Sequence, residues 1–564
     1  MFIENKVAII TGGASGIGFR YATELLANGL KAVTLADTDD VKGDEAVAII
    51  SKDFSSEKVL FVKTDVTCKS QLENAFKRTV ETFGQLDILV NNAGIMVENA
   101  WEKMLSINLT GTIYGCLLAM EEYFPKYKSG DETVIVNISS IVGLQGASIL
   151  PIYTASKHAV IGLTTSLGKP DQYEMTRTRI VAICPGPTDT PLMQDLVKKA
   201  FNQRYVDLTR NLLKNYNMQL QKADIVPKCL VRAIEEGGNG SVWVVEDDEI
   251  YEVEIPDRQQ MKKNHKIRQT RTGSSNIEEL EAAILYIKTD NLTPASFFII
   301  MFVDKKVALV TGGASGLGFR YAIELLQNGL RAVTLADTDD VKGSEAVSNI
   351  SKDFGADKVL FVKTDVSVKE QLDNAFKRTV EKFGNVDIVI NNAGVMVEAI
   401  WEKMIGINVN GTIYGCILAM EEYFPKYKSG KEAVIVNISS VAGLQGVSVL
   451  PFYVATKHAV IGLSRSLGTP DQYESSKTRV VTICPGATNT PLLHDLDKKV
   501  LNDRYLDLTM KHPTFDLFPI QQVDIVPKCM IKVIEEGANG SIWVVEDDEI
   551  YEVELRNRQD LKKK

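Results

Sequence analysis

The chain has 564 residues, longer than one hydrophobic core organises, so two or more domains are expected. With 45% apolar and 24% charged residues and a mean hydropathy near zero, it has the composition of an ordinary globular protein. Its net charge of −10 argues against a nucleic-acid-binding surface, and the short basic stretches Met261-Lys262-Lys263 and Leu561-Lys562-Lys563-Lys564 read as solvated tails.

Taken in chain order, the first element is a strand at residues 7–10, so early that no signal peptide is expected. It runs into Gly12-x-x-x-Gly16-x-Gly18, which opens a helix at 18–28. Further strands are predicted at 32–36, 59–62, 88–90, 134–138, 180–183 and 242–245, with helices such as 71–83 and 101–124 between them. This alternation predicts an α/β fold, a doubly wound parallel sheet of the Rossmann kind. The longest apolar run, 297–303, is too short to span a bilayer, so no membrane span is expected.

The whole pattern then repeats at a constant offset of 300 residues. Thr11-Gly12-Gly13-Ala14-Ser15-Gly16 recurs as Thr311-Gly312-Gly313-Ala314-Ser315-Gly316, and Trp243-Val244-Val245-Glu246 as Trp543-Val544-Val545-Glu546. Two tandem copies are therefore expected, at 1–264 and 301–564, since a repeat this long is a domain rather than a solenoid module. Between them, 265–300 reads as a linker with a short helix at 277–288 capped by Asn276. One segment departs from the repeat: Asn211–Leu220 and Lys511–Ile520 share no residue, as expected of a loop that sets specificity or of an unconstrained surface loop. If it sets none, specificity is to be sought near Gln145, Ala147 and Met193. Six of the seven cysteines form repeat-related pairs (Cys116/Cys416, Cys184/Cys484, Cys229/Cys529) in apolar or mixed patterns. They read as small buried hydrophobes in a reducing, cytoplasmic compartment. No metal site is expected. The triplets at Asn108 and Asn137 read as chance glycosylation matches.

The glycine-rich turn carries the first chemistry. Gly12, Ser15, Gly16, Ile17 and Gly18, and in the second copy Gly312, Ser315, Gly316, Leu317 and Gly318, let a pyrophosphate approach the backbone at a helix N-terminus. Asp37 and Asp337 end the second strand of each copy, where a carboxylate accepts both adenosine ribose hydroxyls and repels a 2′-phosphate. No Arg or Lys stands at Ser15 or Thr38, so NAD is expected rather than NADP. Tyr153 and Lys157, repeated as Tyr453 and Lys457, are four residues apart and share one helix face. A free phenol, with a pKa of about 10, is a poor base. An adjacent ammonium and a cationic nicotinamide favour its phenolate, making the tyrosine a general base. Ser140 and Ser440 are placed to hydrogen-bond the substrate oxygen. His158 and His458 lie on another face and read as packing residues.

These motifs in this order resemble the short-chain dehydrogenase/reductase family over essentially all of each copy. The matching residues are the glycine turn, Asp65-Val66, Asn91-Asn92-Ala93-Gly94, Asn108, Ser140, Tyr153-x-x-x-Lys157 and Pro185-Gly186. The second copy supplies Asp365-Val366, Asn391-Asn392-Ala393-Gly394, Asn408, Ser440, Tyr453-x-x-x-Lys457 and Pro485-Gly486. Finer features, His512-Pro513-Thr514 and the ending Asn539-Gly540-Ser541-Ile542-Trp543, resemble the branch holding insect alcohol dehydrogenases and 15-hydroxyprostaglandin-dehydrogenase-like enzymes. The first copy lacks the His-Pro-Thr triplet.

The resemblance implies NAD-dependent oxidation of a secondary alcohol to a ketone, an oxidoreductase acting on CH–OH donors (EC 1.1.1.-). It implies that Asn108 and Asn408 hold a water for proton relay, and that Lys157 and Lys457 also bind the nicotinamide ribose. It places Asp65, Val66, Asp365 and Val366 beside the adenine, and Asn91 to Gly94 and their repeats, with Asn92, Ala93, Asn392, Ala393 and Gly394, along the cofactor cleft. Pro185, Gly186, Thr188, Pro485, Gly486 and Thr488 should border the nicotinamide, with Thr190 nearby. The substrate pocket is expected under 191–221, whose apolar residues suit a lipophilic alcohol. Pairing through the helices at 101–124 and 153–167 is common in this family, which suggests an intramolecular pseudo-dimer or a homodimer. Two alternatives differ in class: a catalytically silent NAD(H)-binding tandem, and one active copy paired with one scaffold copy. Complete Asn/Ser/Tyr/Lys sets in both copies disfavour the silent reading.

Overall fold

The computed structural model describes residues 2–215, 219–263, 302–511 and 519–563. The expected linker at 265–300 and most of the second divergent segment fall outside them. In the first copy the strands are β1 (Val7–Thr11), β2 (Ala32–Asp37), β3 (Val59–Lys63), β4 (Ile88–Asn91), β5 (Thr133–Ile138), β6 (Thr178–Pro185), β7 (Val242–Glu246) and β8 (Glu249–Val253). They form one sheet in the order β3-β2-β1-β4-β5-β6-β7-β8, parallel up to β7. The second copy repeats it from β9 (Val307–Thr311) to β16 (Glu549–Val553).

Helices cover both faces of the sheet, which is why β1, β4, β5 and β6 are buried along their whole length and read as unbroken apolar runs. The strand order reverses between β1 and β4, opening a crevice at their C-terminal ends, where the glycine turn and Asn92–Gly94 lie. The eighth strand was not anticipated. It pairs antiparallel with β7 through a two-residue turn in which Asp247 (φ 50°) and Asp248 (φ 60°) are both left-handed.

The helix at 101–127 is interrupted by two wider π segments, Ser106–Thr110 and Leu118–Tyr123, and Asn108 lies in the first. The helix Pro151–Leu167 is buried on nearly every residue. The sheet covers one side and its counterpart, Pro451–Leu467, covers the other. The two approach closely because Gly162 faces the His458 ring and Gly462 faces His158; a Cβ at either glycine would sit 2.6 Å from the imidazole. Burial holds both histidines neutral, His458 down to about 4.

Edge-to-face pairs Trp101–Tyr414 (5.0 Å) and Tyr114–Trp401 (5.1 Å) extend this contact. The C-terminal tails also cross. Lys263 N donates to Glu552 O and Lys563 N to Glu252 O, both at 2.9 Å. Leu561 packs with Tyr251 and Val253 of the first copy, and Met261 with Tyr551 and Val553 of the second. Burying each of these side chains contributes about 2 kcal/mol.

Candidate active site

The first strand of each copy delivers the glycine turn into the crevice. Gly16 has φ 58°, a left-handed backbone that an L side chain resists. A Cβ on Gly18 would lie 2.1 Å from Gly12 O, so the helix can start this close to the turn only with glycine there. Ser15 precedes the helix without capping it. Asn92 holds the turn from behind, its Nδ2 donating to Thr11 O (2.9 Å) and Gly12 O (3.1 Å). Asn91 is buried, its Nδ2 on Asn137 Oδ1 at 2.9 Å, and it supports the sheet from inside rather than facing the crevice.

In the second copy the crevice is a cleft of about 530 Å³. Gly312, Ser315, Gly316, Leu317, Asp337, Asp365, Val366, Asn392, Ala393 and Gly394 line it. The Asp337 carboxylate is fixed at the strand end by Ala314 N (3.0 Å) and Asp339 N (3.2 Å), as Asp37 is by Ala14 N and Asp39 N. Asp65 turns back on its own loop, accepting from Thr67 N and Oγ1.

A second cavity of about 140 Å³ adjoins this cleft. Ser440, Tyr453 and Lys457 line it together with Pro485, Gly486 and Thr488 and an apolar wall that includes Met396, Val447, Leu450, Leu492 and Leu493. The helix Pro451–Leu467 places Tyr453 and Lys457 on one face, with Lys457 Nζ 5.6 Å from the centre of the Tyr453 ring and 3.1 Å from Ile438 O. Lys157 repeats this over Tyr153 (5.6 Å) and on Ile138 O (2.9 Å). Ser140 begins the turn 141–143, where its Oγ accepts from Val142 N.

Asn108 and Asn408 do not line the cavity but brace it. Asn108 Oδ1 accepts Ile95 N and its Nδ2 donates to Ile95 O, both at 2.9 Å, and the pattern repeats at Asn408 and Val395. Of the three alternative specificity positions, Val447 and Leu493 (the repeats of Ala147 and Met193) line this cavity, whereas Gln145 is bound by Arg558 of the second copy.

Burial governs the ionisation of the central pair. It raises the Tyr153 phenol, and that of Tyr453 to about 12, while the hydrogen bonds from Ser140 and Ser440 pull the other way. It brings Lys157 and Lys457 down to about 8. The expected lowering of the phenol is therefore not a property of the protein alone, because desolvation outweighs the serine hydrogen bond.

Three features escaped sequence reading. Gln221 Nε2 donates to Thr188 Oγ1 (3.0 Å) and Val245 O (3.0 Å), tying the end of the divergent segment to the Pro185–Thr188 loop. Arg465, half-buried where the first copy has Thr165, donates to Leu144 O (2.7 Å) beside the Ser140 turn. The third is Glu98, fully buried beneath the catalytic helix, which accepts Ile152 N (3.2 Å) and Tyr153 N (2.7 Å); Glu398 does the same for Phe452 and Tyr453.

Burial raises Glu98 to about 7 and Glu398 to about 8, against a usual 4.5, while the backbone donors pull them back. A carboxyl raised on folding contributes stability that is fully present below 4.5 and lost as pH rises through about 7 to 8. The thermal midpoint of the Glu98→Gln/Glu398→Gln protein should therefore fall less than that of the wild type between pH 5 and 8; equal slopes in a pH series of melting curves would refute this.

The short chain dehydrogenase family matches residues 6–200 and 306–501, and the chain belongs to that family. It is 35% identical over 251 residues to 15-hydroxyprostaglandin dehydrogenase [NAD(+)] of Bos taurus, covering 44% of this chain and 89% of that one. To alcohol dehydrogenase 1 of Ceratitis capitata it is 31% identical over 246 residues, 43% of this chain and 93% of that one. Among solved structures, the C-domain with NADP of a bacterial malonyl-CoA reductase shares the fold. Its TM-score is 0.65 at 13% identity, over 96% of this chain and 99% of that one. Among the described residues no helix is long and apolar enough to cross a membrane. All seven cysteines are free, and six are buried.

Proposed function

We propose that each copy oxidises a lipophilic secondary alcohol to a ketone with NAD, the two acting as an intramolecular pseudo-dimer in the cytoplasm. The observation that carries this reading is the convergence of Ser440, Tyr453 and Lys457 in a largely apolar cavity, opening on a cleft that ends at Asp337. The cleft fits NAD: the glycine turn would admit its pyrophosphate, and the carboxylate fixed at the end of the second strand would accept its adenosine ribose hydroxyls. The 15-hydroxyprostaglandin dehydrogenase [NAD(+)] relatives support the same cofactor. NAD, when bound, supplies the hydride acceptor and a positive ring.

The protein does the rest. Ser440 donates to the alcohol oxygen and orients it. Tyr453, as the phenolate that Lys457 stabilises, takes the hydroxyl proton and becomes the neutral phenol as the C–H bond breaks. Asn408 keeps the strand end and the helix at 401–427 in register around the pair. The apolar wall excludes water and selects lipophilic substrates.

A panel of secondary alcohols assayed for NADH production, with each copy silenced in turn, tests the reading. No turnover with NAD bound would support a silent binding protein, and turnover in one copy only would support an active-plus-scaffold pair. The same assay tests the cofactor. Asp37→Ala with Thr38→Arg should move preference toward NADP in the first copy alone, and equal binding of both nucleotides by the unmodified protein would sink the assignment.

A further inference from the structure

We infer that Gln172 and Gln472 are positioning residues for the substrate pocket of the opposite copy, so that each pocket is complete only while the copies are paired. In the second copy the stretch Val447–Leu450 supplies two wall residues of the cavity. Three side chains of the first copy hold that stretch. Gln172 Nε2 donates to Ser448 O (2.7 Å), Asp171 Oδ2 accepts from Ser448 Oγ (2.5 Å), and Ser166 Oγ accepts from Val447 N (3.1 Å).

The arrangement is reciprocal. Gln472 donates to Ser148 O (2.5 Å), Asp471 accepts from Ser148 Oγ (2.8 Å), and Ser466 accepts from Ala147 N (3.0 Å). Both glutamines are fully buried, so their hydrogen bonds have no water to replace them.

Each glutamine also binds an arginine of the opposite copy. Gln472 Oε1 accepts from Arg204 Nη1 (2.6 Å) in the first turn of the helix Gln203–Asn215, and Gln172 accepts from Arg504 in the same way. Glu421 of the second copy pairs with the same Arg204, and Glu121 of the first with Arg504. These pairs are largely shielded, with side-chain exposures of 15 to 23%, and the guanidinium fork suits a carboxylate and an amide together. One amide thus joins the helix Gln203–Asn215 to the pocket wall, and it belongs to the other copy. Neither glutamine touches the catalytic residues, so the effect falls on how the alcohol is held.

The inference rests on the alcohol dehydrogenase reading. Its test uses the full chain with Tyr453→Phe, in which only the first copy turns over. Adding Gln472→Met should raise the first copy's KM for the alcohol about 2- to 30-fold, leaving NAD affinity unchanged and kcat less affected. The same Gln472→Met in a Tyr153→Phe chain, where only the second copy works, should leave KM as it was. Asp471→Asn, which weakens the Ser148 contact alone, should give a smaller change on the same side.

An unchanged KM in the first copy, or equal changes in both, would overturn the inference. Should neither single-copy chain oxidise any alcohol, the functional reading falls on its own. The tether is then read by trypsin cleavage after Arg210 and Lys214, which Gln472→Met should accelerate relative to cleavage after Lys511; equal rates refute it.

Discussion

Full-length protein carrying Tyr153→Phe and Tyr453→Phe is expected to oxidise alcohols about 10²- to 10⁴-fold more slowly than wild type while binding NAD as before, the range set by loss of a general base. The phenol is 5% exposed in the first copy and 6% in the second, so the change removes one oxygen from a packed site without opening it to solvent. The cofactor cleft keeps its glycine turn, its aspartate and its lysine. Ser140 and Ser440 keep the backbone contacts that orient them. Each single substitution should remove only its own copy's share, and the two shares should add, because the mechanism of one copy uses no reacting group of the other. Initial rates of NADH formation, with NAD affinity measured in parallel by titration, check this. A double variant that retains substantial turnover would show that the proton goes elsewhere.

The parts of this site legible from sequence are those whose partners lie close by in the chain or in a fixed motif. Tyr153 and Lys157 share a helix face whatever the helix packs against, and the glycine turn announces itself because few other residues tolerate its backbone. Seven of the eight strands in each copy read as apolar runs because helices bury both faces. The eighth, Glu249–Val253, alternates between partly exposed and buried residues instead, and its strongest signal was the Asp247-Asp248 turn.

What stayed hidden depends on long-range contacts. Glu98 looks like any surface glutamate until the fold carries it under the N–H groups of Ile152 and Tyr153, some fifty residues away in the chain. Gln472 meets Ser148 across the repeat, 324 residues apart. Gln221 left a trace: it directly follows the divergent segment, yet Gln521 repeats it. Asn92 was read as a cleft residue and is also the brace behind the turn, a role that its motif does not announce.

Replacing the lysines has a different expected outcome, and it separates their two assigned roles from the one assigned to the tyrosines. Lys157→Met and Lys457→Met should weaken NAD binding about 10- to 100-fold, the loss of hydrogen bonds from a charged donor to the ribose, and should lower kcat as well. Methionine fills the same apolar channel but leaves Ile138 O and Ile438 O without the donors that reach them now. The thermal midpoint should therefore fall, which the tyrosine variants would not show. The pH dependence gives the sharper sign. Burial brings Lys457 down to about 8, so its ammonium is present below that value and is lost as pH rises through it. Wild-type NAD affinity should therefore decline above pH 8, whereas the methionine variants should bind weakly at every pH with no such inflection. If a methionine variant keeps wild-type NAD affinity, or keeps its alkaline decline, the ribose contact belongs to another group, and the lysine acts on the phenol alone.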